Sequence, residues 1–109
     1  MAENVVRQRL AAILAADVAG YSRLMGDDER ATMDQLDVCR GVFRKRIAEH
    51  DGCVVDTAGD SVLATFPSVV EAVACAAVVQ DDLAGHNAAL PEDRRMQFRI
   101  GVHFGDIVE

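Results

Sequence analysis

The order of elements along the chain, strand–helix–strand–strand–helix–strand, predicts an α+β domain with a ferredoxin-like sheet and two helices on one face. Three observations carry that prediction. A short, wholly apolar run stands near the N-terminus, a β-hairpin signal lies in the middle, and a strictly alternating strand closes the chain. At 109 residues and 11.8 kDa there is room for one domain and not two.

Each element has its own reason. Arg9 to Ala16 (RLAAILAA) is apolar on both faces and ends on Asp17, as a buried central strand should. Val18-Ala19-Gly20-Tyr21-Ser22 follows as a turn into a helix. The first long helix is expected from about Asp28 to about His50, since Leu36, Cys39, Phe43 and Ile47 fall on one stripe. Acids at its start and Arg44, Lys45 and Arg46 near its end suit the helix dipole, and Asp51-Gly52 stops it. Cys53–Thr57 and Ser61–Phe66 are β-prone segments around Ala58-Gly59-Asp60, which reads as a hairpin. Ser68 and Glu71 form a capping box for a second helix reaching about Ala84, apolar nearly all round and therefore expected to pack tightly. His86 to Arg95 is expected as an exposed loop. In the last strand Phe98, Ile100, Val102 and Phe104 share one face, and Gln97, Arg99, Gly101 and His103 the other.

Right-handed crossovers place the third strand between the first and second, and the fourth on the far side of the first. Both helices then cover one face. The face carrying Arg99 and His103 is left open, so a partner is expected there.

Composition excludes several functions. Eleven basic against eighteen acidic residues give a net charge of −7, the wrong sign for a nucleic-acid surface. Aromatic residues make up 5%, with no Trp, so base-stacking platforms are poorly supplied. Cys39, Cys53 and Cys75 are an odd set without a C-x-x-C pair, which fits neither a disulfide scaffold nor zinc and suits a reducing cytoplasm. No apolar run is long enough for a membrane span, and no signal segment is visible.

The acids are the informative residues. In this topology the end of the first strand, Asp17, lies beside the start of the third, near Asp60. Two unpaired carboxylates at one sheet edge would repel. A divalent cation removes that repulsion, and hard oxygen donors suit magnesium or manganese. The Val18–Ser22 turn offers backbone N–H groups for a phosphate. Together these suggest phosphoryl chemistry assisted by two metal ions.

The segment Leu14-Ala15-Ala16-Asp17-Val18-Ala19-Gly20-Tyr21-Ser22-Arg23-Leu24-Met25 resembles the opening metal-binding motif of class III nucleotide cyclases, the adenylate/guanylate cyclase catalytic domain. Asp56-Thr57-Ala58-Gly59-Asp60 resembles the family's second metal motif, and Phe98 to Asp106 (FRIGVHFGD) the strand that follows. The resemblance runs from about Arg9 to Glu109. It implies a single, partial catalytic domain over residues 1–109, with residues 1–8 as a lead-in. It further implies that Asp17 and Asp60, helped by the Val18 carbonyl, hold two Mg2+ or Mn2+ ions. Ala19, Gly20, Tyr21 and Ser22 would bind the triphosphate of ATP or GTP. Attack of the ribose 3′-hydroxyl on the α-phosphate would give a cyclic nucleotide and pyrophosphate, at the interface of a homodimer.

Two departures from the family pattern stand out. The base-selecting position carries Asp56 where adenylate cyclases typically have lysine and guanylate cyclases glutamate. A carboxylate accepts hydrogen bonds from guanine more readily than from adenine, yet Asp is shorter than Glu, so the choice of base stays open. The family's later transition-state Asn and Arg have no counterpart here, which implies a longer parent protein and little activity in this chain alone. The alternative is a catalytically silent cyclase-like module for dimerisation or nucleotide sensing.

Other features read as structural. Asp56-Thr57-Ala58-Gly59 spells a GTPase D-x-x-G, but no phosphate-loop motif precedes it. His50, His86 and His103 lack metal-ligand spacing. Met25 and Met33 read as packing residues, Cys75 as a core thiol, and Asp81, Asp82, Glu92 and Asp93 as solvated surface acids.

Overall fold

A computed structural model of the protein describes residues 8–108. Its strands are β1 (Gln8–Val18), β2 (Cys53–Asp56), β3 (Val62–Phe66) and β4 (Phe98–Val108), and its helices are α1 (Tyr21–Asp27), α2 (Glu29–Glu49) and α3 (Val69–Ala88). The sheet order is β2-β3-β1-β4 with every neighbouring pair antiparallel. This is the expected strand order. Of the expected lead-in, Gln8 already belongs to β1, and residues 1–7 lie outside the described residues.

One face of the sheet carries the core. Alternate residues Ala12, Leu14, Ala16 and Val18 of β1 are buried, as are Val62, Ala64 and Phe66 of β3. The α2 stripe Leu36, Cys39, Phe43 and Ile47 packs on them, with Ala72, Cys75, Val79 and Leu83 of α3 alongside. The Phe43 and Phe98 rings meet at 5.0 Å and 60°, the tilted geometry aromatic pairs prefer. Burial pushes the Cys39 and Cys75 thiols up to about 11, so both are inert core residues.

Helix ends follow the local chemistry. Asp28 caps α2 by accepting the Ala31 amide at 3.0 Å, and Ser68 caps α3 by accepting the Glu71 amide at 3.1 Å. At the end of α2 the left-handed residue is Asp51, at φ 61°, and not Gly52. Gly52 is required for a different reason. A Cβ there would lie 2.5 Å from Phe66 Cε2 and 2.7 Å from Ile47 Cγ2.

Several expectations need correction. The helix into which the turn after β1 leads, α1, is separate from α2, broken from it at the extended Asp28. Helix α3 does not stop before Gly85. It continues to Ala88, because Gly85 sits on the exposed side where a missing Cβ costs no packing. The segment from His86 is thus helical at first, and a 3-10 turn at Glu92–Arg94 interrupts the remainder. Nor is α3 packed all round: Val69, Val70 and Val73 are exposed near its start, and Met33 on α2 is exposed as well. Asp82 is no free surface acid. Arg46 grips it with two hydrogen bonds, of 2.6 and 3.2 Å, which hold its carboxyl below the ordinary value of 3.8. Among the described residues no helix is long and apolar enough to cross a membrane.

Candidate active site

Antiparallel register brings the acids to the same end of the sheet. Ala16 pairs with Val62, which leaves Asp60 level with Val18 at the end of β1. The Asp60 carboxylate accepts the Val18 amide through Oδ2 at 3.0 Å. Asp17 is one residue away, and its partner across β1 and β4 is Arg99. Arg99 Nε donates to Asp17 Oδ1 at 2.8 Å. That hydrogen bond and the Asp17 charge, with the Asp60 charge adding a smaller share, raise the Arg99 pKa further. The sheet edge therefore holds two acids and one guanidinium.

Asp17 and Arg99 border a depression on the open face. Its volume is about 470 Å³, and Ala15, Asp17, Asp56, Leu63, Arg99 and Gly101 are among the lining residues. The floor is low because Ala15 and Gly101 are cross-strand partners with almost no side chain between them. A Cβ at Gly101 would meet nothing within 4 Å. Asp56, past a bulge at the end of β2, is exposed and accepts the Ala58 amide through Oδ1 at 3.2 Å. It lines the same depression as Asp17, whereas Asp60 is turned toward Val18. A slightly larger cavity of about 530 Å³ lies between α3 and the start of β4. Its Gln80 and Asn87 side chains are tied to the Phe98 and Met96 backbone. It brings no acids together, so it is a packing seam.

The expected phosphate turn is built around Gly20, whose φ of 68° is a conformation glycine adopts freely. The Leu24 amide donates to the Gly20 carbonyl at 3.1 Å and starts α1. Ala19 spends its amide on the Gln97 carbonyl, at 2.8 Å, so it pins the turn to β4 and has no N–H left for a phosphate. Tyr21 is half-buried against the core and Ser22 is exposed.

The sequence reading missed three groups. Arg99 was placed on the open face but not opposite Asp17, and carrying the strand register to its end would have found the pair. Arg40 of α2 donates to the Thr57 carbonyl at 2.6 Å and also to the Gly59 carbonyl, holding the turn that bears Asp60. Buried Thr32 donates to the Leu24 carbonyl at 2.8 Å and accepts from Arg94 at 2.8 Å, which ties the α3–β4 connection to the α1–α2 junction. Nothing local in the sequence marks Arg40 or Thr32, since their partners are remote in the chain. The histidines stay apart: His50 Nδ1 is 2.8 Å from the Arg46 carbonyl oxygen, His86 lies in the last turn of α3, and His103 is exposed on β4.

Among the described residues no group of three or more His, Cys, Asp or Glu side chains could hold a metal ion. Two carboxylates and a backbone carbonyl are nevertheless a fitting donor set for magnesium, which commonly takes one or two carboxylates and completes its shell with water and substrate phosphate.

No family model matches the chain. It is 48% identical over 109 residues to "Putative adenylate cyclase 3" of Rhizobium meliloti (strain 1021), covering 99% of this chain and 19% of that protein. It is 29% identical over 108 residues to "Serine/threonine-protein kinase pkn2" of Myxococcus xanthus, covering 96% of this chain and 13% of that protein. The solved adenylate/guanylate cyclase/hydrolase from Silicibacter pomeroyi is 39% identical and superposes with a TM-score of 0.86, over 96% of this chain and 62% of that one. The chain thus spans about a fifth or less of these curated relatives.

Proposed function

Because the chain belongs to the class III nucleotide cyclase family, we propose that it supplies half of a nucleotide cyclase site. In this reading it binds a purine nucleoside triphosphate with Mg2+ or Mn2+ and pairs through its open sheet face with a second copy. The parent protein makes a 3′,5′-cyclic nucleotide and pyrophosphate. The observation that carries the reading is the meeting of Asp60 with Val18 at 3.0 Å, beside an Asp17 that borders the open depression.

Each residue then has a task. Asp17, Asp60 and the Val18 carbonyl are the oxygen donors for the ions. The ions, when bound, would acidify the ribose 3′-hydroxyl and neutralise the triphosphate. Arg99 brings a permanent positive charge to the rim of the depression, where phosphate oxygens would gather. Gly20 and the first residues of α1, Tyr21 and Ser22, would lie beneath those phosphates. Ala19 serves by anchoring that turn to Gln97. Asp56 borders the depression as an acceptor, suited to the N1–H and exocyclic amine of guanine.

Titration calorimetry with Mn2+ and either ATP or GTP, on this chain and on Asp60→Ala, tests the reading. Metal-dependent binding in the parent that disappears in the variant is the expected result. Equal binding by both, or binding that ignores the metal, would overturn it. Binding by a full-length parent protein that yields no cyclic product would instead favour the silent nucleotide-sensing module.

A further inference from the structure

We propose that Arg40 is the positioning residue for Asp60, a role that rests on reading Asp60 as a metal ligand. The turn from Asp56 to Ser61 is held only in part by its own hydrogen bonds. Asp56 Oδ1 accepts the Ala58 amide at 3.2 Å, and the Ala58 carbonyl accepts both the Ser61 amide at 3.0 Å and the Ser61 hydroxyl at 2.6 Å. Two carbonyls, those of Thr57 and Gly59, point inward toward one spot. Such dipoles repel unless a donor stands between them. One terminal nitrogen of Arg40 occupies that spot and donates to both.

Arg40 comes from the middle of α2, so the turn is tied to a rigid helix. Its stem sits where the Nε is buried without a hydrogen-bond partner, a cost that only the terminal contacts offset. Gly59 is left-handed, at φ 59°, and nothing lies within 4 Å of where its Cβ would be. That conformation aims the Gly59 carbonyl at Arg40 and the next residue, Asp60, at Val18. Remove the guanidinium and the two carbonyls part, the turn opens, and Asp60 leaves the end of β1. Groups behind a metal ligand commonly set affinity in this way, by about 10–100-fold.

The test uses Arg40→Met, which keeps the aliphatic stem and removes the donors, with Arg40→Lys as the milder change. The direct reporter is the Val18 amide, observed by NMR in the metal-free chain. Asp60→Ala defines its shift and exchange rate when the carboxylate is gone. We expect Arg40→Met to move the Val18 amide most of the way to that reference, and Arg40→Lys to move it part of the way. Mn2+ affinity should fall about tenfold in Arg40→Met, with Arg40→Lys recovering part of the loss. A Val18 amide in Arg40→Met that matches the parent would overturn the proposal. If Arg40→Met fails to fold, the same amide is read in Arg40→Lys, where a parent-like signal overturns it equally. If Asp60→Ala leaves Mn2+ binding intact, the cyclase-site reading fails. The Val18 amide then still decides whether Arg40 positions Asp60.

Discussion

The Thr32 hydroxyl offers a quantitative test of how the region behind the site is held. Thr32 is fully buried; its Oγ1 donates to the Leu24 carbonyl at 2.8 Å and accepts from Arg94 at 2.8 Å. Thr32→Val keeps the shape and deletes both bonds. A hydrogen bond is worth about 0.5–1.5 kcal/mol net, and about 1.5–3 kcal/mol when one partner is charged. The bereft groups are not stranded, however. The Leu24 carbonyl keeps the Asp28 amide at 3.1 Å, and Arg94 is only half-buried. The loss should therefore fall at or below the low end of their summed range, about 1–2 kcal/mol. For a chain of this size that lowers the midpoint of thermal unfolding by about 4–12 °C. Circular dichroism melts of the parent, Thr32→Val and Thr32→Ser provide the assay. Thr32→Ser, which keeps the hydroxyl, should lose less than Thr32→Val. The opposite order would refute the reasoning, because the methyl group and not the hydrogen bonds would then carry the stability.

Two further outcomes are expected. Gly101→Val should leave the thermal midpoint unchanged or higher, since open space surrounds that position and valine suits a strand, yet it should abolish nucleotide titration by filling the depression beside Asp17; nucleotide binding that survives it would place the ligand elsewhere. Asp82 is held below its ordinary value of 3.8 by Arg46, so its contribution to stability is present above about pH 4 and is lost as the pH falls through the lowered value; urea midpoints between pH 5 and pH 2 should decline less in Asp82→Asn than in the parent.

The sequence alone was enough for the frame. Period-two alternation in β4 and the apolar run of β1 name two strands, and the Leu36, Cys39, Phe43 and Ile47 stripe names a helix, because those patterns are local. The strand order followed from the handedness of crossovers, which depends on chain chirality and not on side chains. It was therefore also legible that Asp17 and Asp60 would lie at the same end of the sheet.

What the sequence left undecided depends on contacts between distant residues. Helix α3 runs through Gly85 because the glycine faces solvent, and no local rule says which side of a helix is covered. Asp82 becomes a paired acid only because α2 and α3 pack side by side and bring Arg46 within 2.6 Å of it. Arg40 reaches the turn before Asp60 across 17 and 19 residues of chain, and Arg99 reaches Asp17 across 82. Hydrophobic periodicity sets which elements form. The partners of each charged group are set by the register and packing of those elements, which exist only once the chain has closed on itself.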